Sequence, residues 1–181
     1  AEVCLIMKRV TVVIVNWNGK DNTLDCVASL ANVKCQMSNV KCIVVDNAST
    51  DGSVEAINTR FPTVEIIQNS QNLGFTGGNN IGIKKAIADG ADFVWLLNND
   101  TTVDKNALTS LLDVFDDQAV GIVGSKIYFS PGREFHKERY KKSEQGNVIW
   151  YAGGRIDWNN MYASHRGVDE VDNGQFDKES E

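Results

Sequence analysis

Four short runs of apolar, mostly β-branched residues, separated by segments of helical period, constrain the fold of this chain more than any other feature. "RVTVVIV" (9–15), "KCIVV" (41–45), "TVEIIQN" (63–69) and "ADFVWLL" (91–97) read as strands. Between the first two, Leu24, Val27, Ala28 and Ala31 recur at three- and four-residue spacing, predicting a helix over 21–31. The second run ends on "DNASTDGS", turn formers and helix caps that lead into a helix through "VEAINTRF". After the third run, "SQNLGFTGGNNIG" reads as a loop, followed by a helix through "IKKAIADG" that closes at Gly90. This alternation is the pattern of βαβ units and a parallel sheet. The unbroken apolar character of the fourth run places it at the sheet centre, covered on both faces. Asp104 is a cap for one more helix, with the apolar stripe Leu108, Leu111, Leu112 and Phe115.

Beyond that helix the order weakens. "AVGIVGSKIYF" (119–129) predicts a further strand, and "GREFHKERYKKSEQ" (132–145), with five basic and three acidic residues, a solvated mobile loop. "NVIWYAGGRIDW" predicts short strands in a hairpin turning at Gly153–Gly154, and from Gly167 the chain is acidic with no core signal. At the other end, Met7 followed by "KRVTVVIVNW" reads as the natural start, so residues 1–7 are set apart as an appended or disordered segment. The predicted organisation is a core at 8–130 and a looser, incomplete region at 131–181.

Composition narrows the function. With 42% hydrophobic residues in 181, the chain can bury a core, yet no apolar run reaches the roughly 18–20 residues of a membrane span. Acidic residues outnumber basic ones 24 to 18, for a net charge of -6, which argues against nucleic acid as a partner. Cys4, Cys26, Cys35 and Cys42 form no CxxC pair and have no nearby histidine, so they read as free thiols of a reducing compartment rather than a metal or redox centre.

Each predicted strand ends on a polar cluster: Asn16, Trp17 and Asn18; Asp46, Asn47 and Asp51; Asn69 to Asn80; and Asn98, Asn99 and Asp100. In an open parallel sheet, ligands bind beyond the carboxyl ends of the strands. A dinucleotide site would need G-x-G-x-x-G after the first strand, where this chain has "NWNGKD", and no phosphate-binding G-x-x-x-x-G-K-[ST] occurs. What remains is an aromatic residue able to contact a ring, carboxylates able to accept hydrogen bonds from a base or sugar, and Asp100, suited to a hard divalent cation such as Mg²⁺.

"VTVVIVNWNG", "VVDNASTDGS", "NLGFTGGNNIGI" and "WLLNNDT" resemble, in order and spacing, the motifs of the inverting family 2 glycosyltransferases, most closely a bacterial and archaeal rhamnosyltransferase-like branch. The resemblance covers residues 8–130, with a weaker echo through "YAGGRIDW" and "SHRGVDEVDNGQFD". It implies the α/β GT-A fold, a Rossmann-like three-layer arrangement with a mostly parallel central sheet and helices on both faces. It implies transfer of a sugar, rhamnose in that branch, from UDP or dTDP to a saccharide or lipid-linked acceptor. Val15 and Trp17 then line the nucleotide pocket, Asp46 accepts a hydrogen bond from the base, Asn99 lies near the ribose, and Asp100 binds Mg²⁺ or Mn²⁺. Gly78, Asn79 and His165 stand as donor or acceptor contacts. The chain departs from the family in carrying Asn where the D-x-D-like motif has its first acid. The family's general base, an Asp or Glu in a later acidic motif, has no counterpart among Asp157, Asp169, Glu170, Asp172 and Asp177 in that setting. It is expected beyond Glu181, so that residues 131–181 begin an acceptor side that the chain leaves incomplete. A nucleotidyltransferase and a non-catalytic sugar-nucleotide-binding module are the alternatives. The expected location is cytoplasmic, at the inner membrane face if segments outside the chain attach it there.

Overall fold

The computed structural model describes residues 8–34 and 39–177; Cys4, Cys35 and the expected appended start lie outside them. Two compact units divide the chain at Leu108/Thr109.

In the first unit, β1 (Val10–Asn16), β2 (Val40–Asp46), β3 (Glu65–Gln68) and β4 (Phe93–Asn98) form one sheet in the order β3-β2-β1-β4, all parallel. The helices α1 (Lys20–Lys34), α2 (Ser53–Arg60) and α3 (Gly74–Ala88) are the crossovers. Strand side chains alternate between faces, and two contacts assign them. Val13 and Val15 meet the glycines of α3, while Asn16, on the opposite parity with Val12 and Ile14, bonds Thr23 of α1. Helices therefore cover both faces. On the α3 side, Val13, Ile43 and Val45 are fully buried and joined by Ile67, Ile81 and Val94.

Two expectations change here. The centre of the sheet is β1 and β2, not β4, which pairs with β1 alone at the edge of the described sheet and leaves Leu96 46% exposed. An unbroken apolar run marks a strand without fixing its place, since β1 and β2 carry comparable runs. The glycine-rich stretch is also not a loop, because α3 starts at Gly74 and takes in Gly77, Gly78 and Gly82. The reason is closeness: a Cβ on Gly82 would lie 2.2 Å from a methyl of Val13, and one on Gly78 2.8 Å from Val15. Glycine costs helix propensity of about 1 kcal/mol, and here that cost is offset by direct contact of backbone with the sheet.

The second unit contains the remainder of α4 (Ala107–Val114), an antiparallel sheet β5 (Ile127–Tyr128), β6 (Val148–Tyr151) and β9 (Glu170–Val171), and a hairpin β7 (Gly154–Asp157) with β8 (Tyr162–His165). Of the strand expected over 119–129 only β5 forms, and Ile122 is 94% exposed. The hairpin turns at 158–161, while Gly153–Gly154 joins β6 to β7 in separate sheets. The acidic tail contributes β9 to the unit's sheet, and Glu134, inside the segment expected to be solvated, is buried. Lys126 ties this unit together through Asp172 at 2.8 Å and Asp177 at 2.5 Å, and Tyr128 donates to Asp172 as well.

Two outcomes follow from these contacts. Gly82→Ala gains helix propensity but overpacks Val13, a net loss of about 1–2 kcal/mol in urea unfolding. Combined with Val13→Ala it should cost less than the sum of the two single changes by about 1 kcal/mol or more; additivity within about 0.5 kcal/mol would remove the contact from the account. The Lys126 and Tyr128 hydrogen bonds hold the Asp172 carboxyl down at about 2, from 3.8. A lowered carboxyl contributes stability above its ordinary value and loses it as pH falls through the folded one. The stability difference between the native chain and Asp172→Asn is therefore greatest above pH 3.8 and shrinks toward about pH 2.

Candidate functional site

The carboxyl ends of β1, β2 and β4 and the first turn of α3 enclose a cleft of about 440 Å³, lined by Val15, Trp17, Asn47, Asn72, Gly74, Phe75, Leu97, Asn98, Asn99 and Asp100. All of it belongs to the first unit. Parallel strands bring their carboxyl ends together, so four segments far apart in sequence meet on one edge.

Beneath the cleft lies a buried amide. Asn16, with no exposed surface, donates through Nδ2 to Asp46 at 2.8 Å and to the Ser49 hydroxyl at 3.0 Å. Its Oδ1 accepts from the Thr23 hydroxyl at 2.8 Å and from the Gly19 N–H at 3.2 Å. Asn99 donates to the Thr23 oxygen at 3.0 Å and approaches Asn16 Oδ1 at 3.4 Å. One side chain thus joins the ends of β1, β2 and β4 to the start of α1. Asp51 adds a second tie, accepting from the Lys20 N–H at 2.9 Å at the first residue of α1.

The expected site residues separate into three groups. Val15, Trp17, Asn99 and Asp100 line the cleft together, with Trp17 58% exposed. Asp46 is 2% exposed and placed under the cleft, not on its wall, with its oxygens accepting from Asn16 and from the Ser49 N–H at 2.9 Å. Gly78 backs onto Val15, and Asn79 is buried within α3, donating to the Phe75 carbonyl at 2.9 Å. His165 lies in β8 of the second unit, edge-on to Trp150 and Tyr151 at ring distances of 5.2 and 5.1 Å.

Phe75, Asn72, Gly74 and Leu97 join the lining without having been singled out. Phe75, 65% exposed, had a signal: a large aromatic residue among glycines and amides just past a strand end. Asn47 is held by two bonds, donating to the Gly74 carbonyl at 3.1 Å and accepting from Asn69 at 2.8 Å.

Asp100 is the one carboxylate on the cleft wall, and no group of three or more His, Cys, Asp or Glu side chains is placed to hold a metal among the described residues. That donor set fits a hard cation that takes most of its oxygens from water and a phosphate-bearing ligand, and does not fit an all-protein cage. Cys26 sits behind the motif, donating to the Asn98 carbonyl at 3.4 Å, and burial pushes its thiol up to about 12. It is a protonated packing group, not a nucleophile, and Cys42 is likewise buried and outside any disulfide. The five acids weighed as a base are engaged in the second unit: Asp157 by Asn160, Asp169 by His136 and Arg139, Glu170 by Gln175, and Asp172 and Asp177 by Lys126. Among the described residues no helix is long and apolar enough to cross a membrane.

Comparison with known proteins gives this arrangement a family. Residues 11–172 match the model of glycosyl transferase family 2. The poly(ribitol-phosphate) beta-glucosyltransferase of Bacillus spizizenii is 26% identical over 139 residues, covering 75% of this chain and 22% of that protein. The abequosyltransferase RfbV of Salmonella typhimurium is 31% identical over 111 residues, covering 59% of this chain and 32% of that protein. The chain thus spans less than a third of the length of these relatives. Among solved structures, the mannosyltransferase PcManGT of Pyrobaculum calidifontis, in complex with GDP-Man and Mn²⁺, superposes with a TM-score of 0.56 at 20% identity, over 62% of this chain and 34% of that one. With the family model spanning most of its length and the parallel sheet carrying the cleft at its carboxyl edge, the chain belongs to glycosyl transferase family 2 and has the GT-A fold.

Proposed function

We propose that the chain forms the donor side of a glycosyltransferase that moves a sugar from a nucleoside diphosphate, UDP or dTDP, to a saccharide or lipid-linked acceptor with inversion. The observation that carries this reading is the cleft itself, lined by two exposed aromatic rings, several amides and one carboxylate that forms no ion pair among the described residues. Trp17 and Phe75 offer ring faces to the base or sugar. Asn98 offers a donor and an acceptor to ribose and diphosphate oxygens, and Asn99 its carbonyl oxygen to a ribose hydroxyl, with the Asn99 Nδ2 held by Thr23 and Asn16. Asp46 holds Asn16 in place beneath them.

Asp100 is the residue that would hold a divalent cation, Mg²⁺ or Mn²⁺, together with diphosphate oxygens. Such a cation neutralises the charge that gathers on a departing nucleoside diphosphate. PcManGT, with GDP-Man and Mn²⁺, supports the reading by the shared fold. Rhamnose rests on the motif resemblance alone, so dTDP-rhamnose heads the list of donors to try.

Calorimetric titration with UDP-, dTDP- and GDP-sugars, with and without Mg²⁺ or Mn²⁺, tests the assignment. Asp100→Ala should weaken the metal-dependent part of binding by about tenfold or more, the scale for loss of a charged partner. Metal-dependent binding left intact by that change would remove Asp100 from the role, and no binding of any nucleotide would count against the donor reading. Trp17→Ala should weaken binding by about tenfold with or without metal, as loss of base stacking does. A loss seen only with metal present would contradict stacking.

A further inference from the structure

The basic segment at 133–142 is not absorbed by the cleft or by the proposed transfer, and its surroundings in the second unit set it apart from an ordinary solvated loop. Arg133, Lys137, Arg139, Lys141 and Lys142 stand against two glutamates within ten residues, in a chain whose net charge is -6. One of those glutamates is withdrawn from the surface: Glu134 is 1% exposed and accepts from the Gly146 N–H at 2.9 Å. Glu138 is then the only exposed acid of the segment. Arg139 is answered by Asp169 at 3.0 Å. Arg133, Lys137, Lys141 and Lys142 are exposed and form no ion pair among the described residues, whereas Arg9, Lys41, Lys85 and Lys126 all do.

The segment is also held in shape. Besides the Glu134 tie, the Lys141 N–H donates to Glu144 at 2.7 Å and the Tyr140 hydroxyl to the Asp169 carbonyl at 2.6 Å. Phe135, in the middle of the cations, is 67% exposed with its ring edge-on to Phe129 at 5.0 Å. Four exposed cations in ten residues, with an exposed aromatic ring among them in sequence and only the buried Glu134 acting on one of them, Lys137, are complementary to a surface with negative charge outside and apolar material beneath it. The same unit exposes Trp158, Met161 and Tyr162 at the β7–β8 turn, residue types that settle at a lipid–water boundary. A long polyanion is the poorer fit, because the acidic remainder of the chain would repel it along its length, while a bilayer meets one face only.

We propose that residues 133–142 are a docking surface for an anionic lipid bilayer, with Arg133, Lys137, Lys141 and Lys142 at the headgroups and Phe135 entering the layer below. Attachment of this kind is reversible and needs no spanning helix. Each basic side chain near an anionic leaflet strengthens binding by about fivefold, and the effect fades as the screening length falls below about 10 Å in salt above 0.1 M.

The test is sedimentation of the whole chain with vesicles of phosphatidylcholine and phosphatidylglycerol mixed about two to one, beside vesicles of phosphatidylcholine alone. The native chain should pellet with the mixed vesicles only, and be released at about 0.5 M salt. K137Q/K141Q/K142Q should lower the partition coefficient about a hundredfold with its urea midpoint unchanged, and the charge-reversed K137E/K141E/K142E should lower it further. Phe135→Ser should lower it several-fold at any salt concentration. No binding to mixed vesicles, equal binding to neutral ones, or full binding by folded K137E/K141E/K142E would each overturn the proposal. So would salt-sensitive binding to single-stranded RNA that exceeds binding to the vesicles.

Discussion

The arrangement of the cleft depends on one buried amide. Asn16 ends β1 in the middle of the sheet, where an unsatisfied polar group would cost about 1–3 kcal/mol, and it is satisfied on every side: both its donor and its acceptor are used within the protein. Only a side chain with donor and acceptor on one planar group can bond a carboxylate and two hydroxyls while also accepting a backbone N–H. A leucine would fill the space and lose the ties, and an aspartate would oppose Asp46. The consequence is positional. The ends of three strands and the start of α1 share a single fixed point, and the side chains that face the cleft project from backbone that this point holds.

The framework was readable because its cause is periodic. β1 and β2 fall where their β-branched runs do, and α1 where its apolar spacing puts it. The misread elements have causes outside any one segment. The start of α3 contradicts propensity, since four glycines in nine residues argue against a helix; closeness to Val15 and Val13 explains Gly78 and Gly82, closeness to Leu73 explains Gly77, and Gly74 takes a positive φ, and the first of these exists only once the layers meet. The edge position of β4 is a fact about pairing order, which the composition of the run does not encode.

At the site the pattern is similar. Trp17, Asn99 and Asp100 could be placed on the cleft because strand ends in a parallel sheet converge. Asp46 could not be separated from them by sequence, because whether a carboxylate points into a cleft or under it turns on its partners, here Asn16 and the Ser49 N–H. Glu134 is the same problem in reverse: a charge in a run of charges, buried because a backbone N–H from twelve residues away meets it.

The glycine seam under α3 has a mechanical side. Side chains between a helix and a sheet usually act as knobs that resist sliding along the axis, and over Gly78 and Gly82 those knobs are missing. Val13 and Val15 fill those gaps from the sheet side and Ile81 packs into the core beside them, so the interlock comes from the strands as much as from the helix. The bond from the Asn47 amide to the Gly74 carbonyl sits at the leading end and serves as a latch. A slip of one residue along the axis, about 1.5 Å, would carry Phe75 that far along the cleft wall. The reach of that aromatic ring is thus set jointly by the valines under the glycines and by one amide just past β2.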